Sequence, residues 1–268
     1  MKYRLYIFVL MSCLFTYSIT KASTVTCNNN CRPIPKDNQQ KNIRILFIGD
    51  SVTDGGWGRS GGSSLPSEKR SKNDLNHIYG SGYMYLCATY YQGKFPERNY
   101  EFYNRGISGN TLEDMEKRWD KDVLNINPDI ISILIGINDI DKFINKNDSS
   151  EFDYASWEIR YRALLNSCLS RNNDIKIILC SPFVCNSGKL LKENKFEEYN
   201  KMVEKCSSIV RNIANDYKAI FIPFNELFNN LNKESIKPNN YWIWDGIHPS
   251  PAGHYKMAEL WIENFDSY

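Results

Sequence analysis

The sequence predicts an α/β protein in which a central parallel sheet of about five strands lies between two layers of helices. Apolar runs of strand length alternate along the chain with longer amphipathic segments, which is typical of a parallel sheet covered by helices. The chain contains no internal repeat and no low-complexity linker, and its 268 residues are compatible with one α/β core. We therefore expect a single folded domain.

The predicted strands are the apolar runs at residues 43–48, 100–103, 130–135, 175–179 and 219–222. The predicted helices carry apolar residues at helical spacing and cover residues 75–91, 111–119, 154–169, 192–215 and 251–265. Ser250 and Pro251 are typical of the cap and first position of the last helix. Ligands of such sheets bind beyond the carboxyl ends of the strands, so the residues that follow each run are candidates for a site.

The amino terminus is typical of a secretory signal peptide over residues 1–22. Lys2 and Arg4 precede an apolar stretch at 5–19, and small residues follow up to Ala22. A membrane anchor is the alternative, but it needs about 20 apolar residues, and this stretch is shorter and interrupted by Ser and Thr. We expect cleavage near Ala22 and a secreted or periplasmic protein, with surface attachment, for example through a lipid on Cys13, as the alternative.

The mature chain is expected to consist of a poorly ordered leader and one domain. Residues 23–41 contain an Asn and Gln run and form the predicted leader, and residues 42–268 form the domain. Cleavage after residue 22 removes three basic residues and no acid, so the formal net charge changes from +2 to −1. Such a charge attracts no polyanion, so we expect no nucleic-acid partner. No stable membrane span is expected, and the sequence leaves the oligomeric state open.

Eight cysteines become seven when Cys13 is removed, so at least one thiol should stay unpaired. Cys27 and Cys31 could close a small loop and Cys180 could approach Cys185, but spacing does not fix the connectivity. A zinc site at Cys27 and Cys31 would need a second ligand pair, and none follows. The remaining cysteines lie in apolar helical patterns and are predicted to be small core residues: Cys87, Cys168 and Cys206.

Three of the predicted strands are followed by glycine and polar residues. Gly49-Asp50-Ser51 follows the first run, Asn104-Arg105-Gly106 follows the second, and Gly136-Ile137-Asn138-Asp139 follows the third. Each motif alone is compatible with an ordinary turn or helix cap. Their joint position at strand ends instead indicates a shared functional site.

The most specific motif lies near the carboxyl terminus. Asp245 and His248 are three residues apart in a loop, and Pro249 disfavours a helical conformation at His248. The carboxylate can therefore orient the imidazole, and these two groups with a hydroxyl form the set that activates a serine nucleophile. A metal site at the same pair would need further ligands, which the surrounding sequence lacks.

With these four motifs the chain resembles the SGNH, or GDSL, hydrolases over residues 43–265. The matching blocks are Gly49-Asp50-Ser51, Gly106, Gly136-Ile137-Asn138-Asp139 and the segment from Asp245 to Pro249. Val52 stands where the family name implies leucine, at a packing position. The resemblance implies a flavodoxin-like fold, serine esterase activity and no metal or organic cofactor.

The resemblance also implies a role for each matched residue. Ser51 would be the nucleophile, His248 the general base and Asp245 the residue that orients His248. The oxyanion hole would consist of the backbone N–H groups of Ser51 and Gly106 and the side-chain amide of Asn138. Such preorganised donors stabilise the charge that develops on the ester oxygen during attack.

The predicted substrate is O-acetylated carbohydrate, as for some secreted members of the resembled family. Trp57 and Trp244 are the candidate substrate-binding residues, since an indole can stack on a sugar ring; ordinary aromatic packing is the alternative. The long connection at 55–76 is expected to border the site, with Arg59, Arg70 and His77 either facing substrate or solvated. Alternative functions are a lysophospholipase or thioesterase-type lipid esterase, and a non-catalytic carbohydrate-binding module.

Overall fold

The computed structural model describes residues 41–146 and 150–267. The predicted signal peptide lies outside the described residues, and so does the predicted leader apart from residue 41. Cys13, Cys27 and Cys31 therefore also lie outside them. Among the described helices, none has both the length and the apolar character needed to span a bilayer.

A five-stranded parallel sheet forms the centre of the domain, as predicted. Its spatial order is β2-β1-β3-β4-β5. The strands are β1 (Ile43–Gly49), β2 (Tyr100–Gly106), β3 (Ile130–Leu134), β4 (Lys176–Cys180) and β5 (Ile220–Ile222). Gly49 is in register with Gly106 on one side and Leu134 on the other. The segments that follow β1, β2 and β3 therefore meet at one edge of the sheet.

The α-helices of the described part of the chain are α1 (Ser51–Asp54), α2 (Tyr83–Lys94), α3 (Leu112–Glu116), α4 (Ile137–Lys146), α5 (Tyr154–Arg171), α6 (Gly188–Lys192), α7 (Phe196–Asp216), α8 (Phe224–Glu234), α9 (Asn239–Trp242) and α10 (Pro251–Asp266). Apolar residues of α3 to α7 cover one face of the sheet, and those of α2, α8 and α10 cover the other. Successive residues of β1 alternate between the two faces: Leu46 and Ile48 contact the first group, and Ile45 and Phe47 the second. This is the predicted three-layer α/β/α architecture.

Several helix bounds differ from the predicted ones. The helix expected at 75–91 begins only at Tyr83, because Gly80 has a φ of 74°, which interrupts a right-handed helix. The helix expected at 192–215 begins only at Phe196, because Asn194 (φ 54°) separates it from α6, which ends at Lys192. Helix α4 is not among the predicted helices. It carries Ile137 and Ile140 into the core at helical spacing.

The five described cysteines are buried free thiols, so the pairing considered for Cys180 and Cys185 does not form. Cys185 Sγ lies 3.1 Å from the side-chain nitrogen of Asn232, whereas Cys180 belongs to β4 and lies near Ser132. The other three are packed in the core, as predicted: Cys87, Cys168 and Cys206. Burial raises the pKa of these three thiols, which keeps them protonated.

Candidate active site

Ser51 is the first residue of α1 and follows β1 through a single residue, Asp50. Asp50 caps α1, because its Oδ1 accepts the N–H of Val52 at 3.0 Å. A side chain on Gly49 would place Cβ only 2.1 Å from the carbonyl oxygen of Leu134, so the close approach of β1 to β3 requires glycine there. At the start of a helix the N–H of Ser51 has no intrahelical acceptor. A hydroxyl and a free N–H therefore occur on one residue at the sheet edge.

His248 brings its imidazole to this hydroxyl, with 2.8 Å between Ser51 Oγ and His248 Nε2. The histidine belongs to a short loop between α9 and α10 that is closed at its base by an antiparallel bridge between Ile243 and Pro249. The N–H of Trp244 also donates to the carbonyl of His248 at 3.1 Å. The loop therefore holds the imidazole in place by backbone contacts.

Asp245 completes a continuous line of three groups. Its Oδ2 lies 2.6 Å from His248 Nδ1, on the opposite side of the ring from Ser51. The other oxygen, Oδ1, accepts the backbone N–H groups of Ile247 at 2.9 Å and His248 at 2.7 Å. These bonds fix the carboxylate, which in turn orients the imidazole so that Nε2 can accept a proton from the serine.

The two charged partners shift each other's pKa in opposite directions. The hydrogen bond that the imidazole donates to Asp245 raises the pKa of His248 above 6.5 and outweighs the opposing effect of burial. Burial by itself would raise the pKa of Asp245, but the hydrogen bonds from the side chain and N–H of His248 and from Ile247 lower it below 3.8. Near neutral pH the aspartate is ionised and ready to stabilise a protonated imidazole.

Asn138, the second residue of α4, follows β3 at the same sheet edge. Its Nδ2 donates one N–H to the carbonyl oxygen of Asn110 at 3.1 Å. The amide nitrogen carries two N–H groups, and the second has no acceptor among the described residues. Asn138 is therefore held in position with a donor available.

Gly106 has a different role from the one predicted. Its N–H donates to Asn104 Oδ1 at 2.8 Å, so the group that the predicted oxyanion role requires is already in use. A side chain on Gly106 would place Cβ 2.3 Å from the backbone nitrogen of Asp54. The prediction is corrected accordingly: Gly106 is glycine because β2 and α1 pack backbone against backbone.

A second glycine in the same loop, Gly109, is not among the oxyanion donors that the sequence predicts. Its φ is 80°, it is exposed, and a Cβ would contact nothing within 4 Å. In the described part of the chain its N–H has no acceptor, and the next residue, Asn110, is the one whose carbonyl binds Asn138. The signal that could have identified it is its position in the turn at 107–110, rather than in the strand that ends at Gly106.

The two candidate substrate-binding tryptophans differ in position. Trp57 is completely buried and its Nε1 donates to the carbonyl of Gly106 at 2.8 Å, so the prediction that it contacts substrate is wrong. Its indole packs against the guanidinium groups of Arg70 and Arg105. Trp244 is 61% exposed and its ring lies nearly parallel to the imidazole of His248, with centroids 6.4 Å apart.

The other candidates from the long connection do not share one environment. Arg59 pairs with Asp74 at the surface, and the half-exposed His77 contacts the same carboxylate at 3.0 Å. Arg70 is buried in an ion pair with Asp54. Neither the substrate-facing nor the solvated interpretation therefore describes Arg70.

Comparison with known proteins identifies the family. The model of the GDSL-like lipase/acylhydrolase family matches residues 47–256, which include every side chain of the line described above. The chain belongs to this family. It is also 31% identical over 221 residues to an acetylxylan esterase from Geobacillus stearothermophilus. The aligned residues make up 82% of this chain and 92% of the relative.

Solved structures of similar proteins share the fold. A GDSL-like protein from Parabacteroides merdae superposes with a TM-score of 0.71 at 31% identity, covering 86% of this chain and 99% of the other. A catalytic mutant of Axe2, an acetylxylan esterase from Geobacillus stearothermophilus, superposes with a TM-score of 0.67 at 27% identity. The superposition covers 84% of this chain and 95% of the mutant's chain. The chain described here, as a member of the GDSL-like family, is accordingly a serine-dependent hydrolase of carboxylic esters.

Proposed function

We propose that the protein is a secreted esterase that removes O-acetyl groups from carbohydrate through a Ser51–His248–Asp245 triad and an acyl-enzyme. The observation that carries the proposal is the continuous hydrogen-bonded line from Ser51 Oγ through both nitrogens of His248 to Asp245 Oδ2. The acetylxylan esterase Axe2 supports it, because its catalytic mutants include one serine, one aspartate and one histidine. The aspartate and histidine of Axe2 are three positions apart, as are Asp245 and His248.

In the first half of the reaction, His248 Nε2 takes the proton of Ser51 as Oγ attacks the ester carbonyl carbon. The tetrahedral intermediate collapses when the protonated imidazole gives this proton to the departing sugar oxygen, which leaves acetyl on Ser51. In the second half, water attacks the acetyl carbonyl while His248 takes its proton, and Ser51 Oγ departs with that proton. Asp245 stays ionised throughout and stabilises the imidazolium.

Three donors would hold the oxyanion in both halves. They are the N–H of Ser51 at the start of α1, the free side-chain N–H of Asn138, and the N–H of Gly109 in place of that of Gly106. The first two reach the edge of the sheet from the ends of β1 and β3. Donors fixed before the reaction stabilise the transition state more than the substrate, so they accelerate turnover.

Replacing Asn138 with alanine should lower kcat by about a hundredfold to a thousandfold, the usual cost of one oxyanion donor. Activity should stay measurable because the triad and two backbone donors persist. Steady-state kinetics on an aryl acetate tests this. Asn145→Ala is the matched control, since Asn145 lies on the same helix and its side chain bonds to Asp141, Lys195 and Tyr199. A normal kcat in the Asn138 variant, or an equal loss in the control, would contradict the assignment.

The carbohydrate part of the proposal has two supports besides the acetylxylan esterase relatives. Trp244 presents an exposed indole beside His248, where it can stack on the sugar that carries the acetyl group. The signal-peptide pattern at 1–22 would direct the enzyme out of the cytoplasm. Acetylated polysaccharides are found outside the cytoplasm, so the enzyme would meet them there. We therefore place the substrate among acetylated glycans.

A substrate panel tests the proposal. Acetate release from acetylated xylan and xylooligosaccharides is compared with fatty-acid release from a lysophospholipid and with hydrolysis of aryl esters from acetate to palmitate. The Ser51→Ala variant serves as the blank. We expect activity on the acetylated glycans and on short aryl esters, and its loss in the blank. Preference for long acyl chains would replace the proposal by a lipid esterase, and glycan binding without turnover would replace it by a binding module.

A further inference from the structure

The long connection between α1 and α2 contributes a buried arginine to the back of the candidate site. Arg70 Nη1 donates to Asp54 Oδ1 at 2.6 Å and Nη2 donates to Asp54 Oδ2 at 3.0 Å. Both side chains are fully buried. Desolvation of two charges offsets most of their attraction, so a buried ion pair is weak evidence for a role in stability. Its position relative to the loop after β2 indicates another role.

Asp54 is the last residue of α1, and its Oδ2 also accepts both the N–H of Ser108 at 2.9 Å and the hydroxyl of Ser108 at 3.1 Å. Ser108 directly precedes Gly109. The carboxylate therefore joins the helix that begins with Ser51 to the turn that carries the proposed glycine donor. Arg70 holds this carboxylate in a fixed orientation from the other side, because a guanidinium binds both carboxylate oxygens at once.

Arg70 is itself fixed by its own connection. Its Nη2 donates to the carbonyl of Ser63 at 2.9 Å and its Nε donates to the carbonyl of Leu65 at 2.7 Å. Its guanidinium lies 4.8 Å from the centre of the Trp57 ring, and Trp57 donates to the carbonyl of Gly106. Contacts that originate at Arg70 thus reach Gly106, directly before the turn at 107–110, and Ser108 within it.

We propose that Arg70 is a positioning residue for the oxyanion hole, which acts through Asp54 to hold the Ser108–Gly109 turn with the Gly109 N–H directed at the reacting carbonyl. The inference rests on the proposed function and extends it to a residue of the 55–76 connection. Catalysis depends on this kind of support because misplacement of a group by about 1 Å can cost about a hundredfold in rate. The connection then belongs to the catalytic apparatus rather than only bordering the site.

Arg70→Lys is the principal test, because lysine keeps the charge but cannot bind both oxygens and both loop carbonyls in the fixed geometry of a guanidinium. The Arg70→Met/Asp54→Asn double variant removes both charges together, so no unpaired charge is left in the interior. The side-chain oxygen of the introduced asparagine can still accept from Ser108. We expect Arg70→Lys to lower kcat for an aryl acetate by about tenfold to a hundredfold with little change in KM. The double variant should recover part of the protein stability but not the full kcat.

Coupling to a known donor separates positioning from general weakening. If Arg70 acts through the oxyanion hole, Arg70→Lys should cost much less in kcat when Asn138 is already alanine, since a disordered hole gains little from one aligned donor. The single and double variants are measured on the same substrate at a temperature where circular dichroism shows them folded. If the two substitutions acted independently, the fold losses in kcat of the single variants would instead multiply in the double variant.

Ile213→Ala is the control for lost stability. Ile213 is fully buried near the end of α7, close to the start of β5 and thus at the opposite edge of the sheet from Ser51. We expect it to lower the melting temperature without lowering kcat below that temperature. A normal kcat in Arg70→Lys, or losses that multiply with Asn138→Ala, would overturn the inference alone. Esterase activity that persists in Ser51→Ala would overturn the proposed function and the inference with it.

Discussion

Replacing Ser51 with alanine is expected to lower kcat for an aryl acetate by on the order of 10⁶-fold, the scale of loss when a serine nucleophile is removed. The hydroxyl is the only group of this side chain that the proposed mechanism uses, and its described partner is His248 Nε2. The fold should be unaffected, because Asp50 rather than Ser51 caps α1 and alanine is favourable within a helix.

The measurement is a pair of assays on the wild type and the variant. Steady-state release of nitrophenol gives the loss in kcat, and mass spectrometry after reaction with a fluorophosphonate shows whether Ser51 forms the covalent adduct. Ser170→Ala is the matched control, since Ser170 lies on α5 and its hydroxyl donates to the carbonyl of Asn166 in its own helix. Turnover of the Ser51 variant near the wild-type rate, or an adduct elsewhere, would reject the nucleophile assignment.

The sequence predicts that Ser51, His248 and Asp245 lie close together, because their placement follows from local features. Ser51 and Asn138 each follow a parallel strand directly, and such strands end at a common edge. Asp245 and His248 are close in sequence, and a turn of a few residues is enough to join carboxylate and imidazole. Neither relation requires knowledge of which distant side chains pack together.

The loop after β2 shows where such prediction fails. Gly106 and Gly109 are both plausible backbone donors in the sequence, and the difference between them is made by the side chain of Asn104, which occupies the N–H of Gly106. Asn104 is held there by the carbonyls of Thr53 and Tyr79. These partners come from two other segments, so no local pattern indicates which glycine is free.

Trp57 and Arg70 fail as predictions for the same reason. An aromatic residue and an arginine near a nucleophile are as compatible with substrate contact as with burial. The choice is made by tertiary contacts: Asp54 neutralises Arg70, and Arg70 in turn covers the indole of Trp57. Trp244, in contrast, stays exposed beside His248.

Replacing Asp245 with asparagine is expected to lower kcat by roughly 10⁴-fold, the scale of loss when the aspartate of such a triad is changed to asparagine. The substitution preserves size, and the asparagine oxygen can still accept the N–H groups of Ile247 and His248. Its NH₂ group would then face His248 Nδ1 and favour the tautomer with the proton on Nε2. That tautomer cannot accept the proton of Ser51, so the hydroxyl is not activated.

The pH profile distinguishes this cause from simple misfolding. The general base must be neutral, so wild-type kcat/KM should rise with pH through the pKa of His248, which Asp245 raises above 6.5. Without the carboxylate this pKa falls, so the acidic limb of the residual activity should move to lower pH. Asp216→Asn is the matched control, because Asp216 pairs with Arg162 at the surface. An unchanged limb in the Asp245 variant, or near-wild-type activity, would mean that Asp245 does not orient the base.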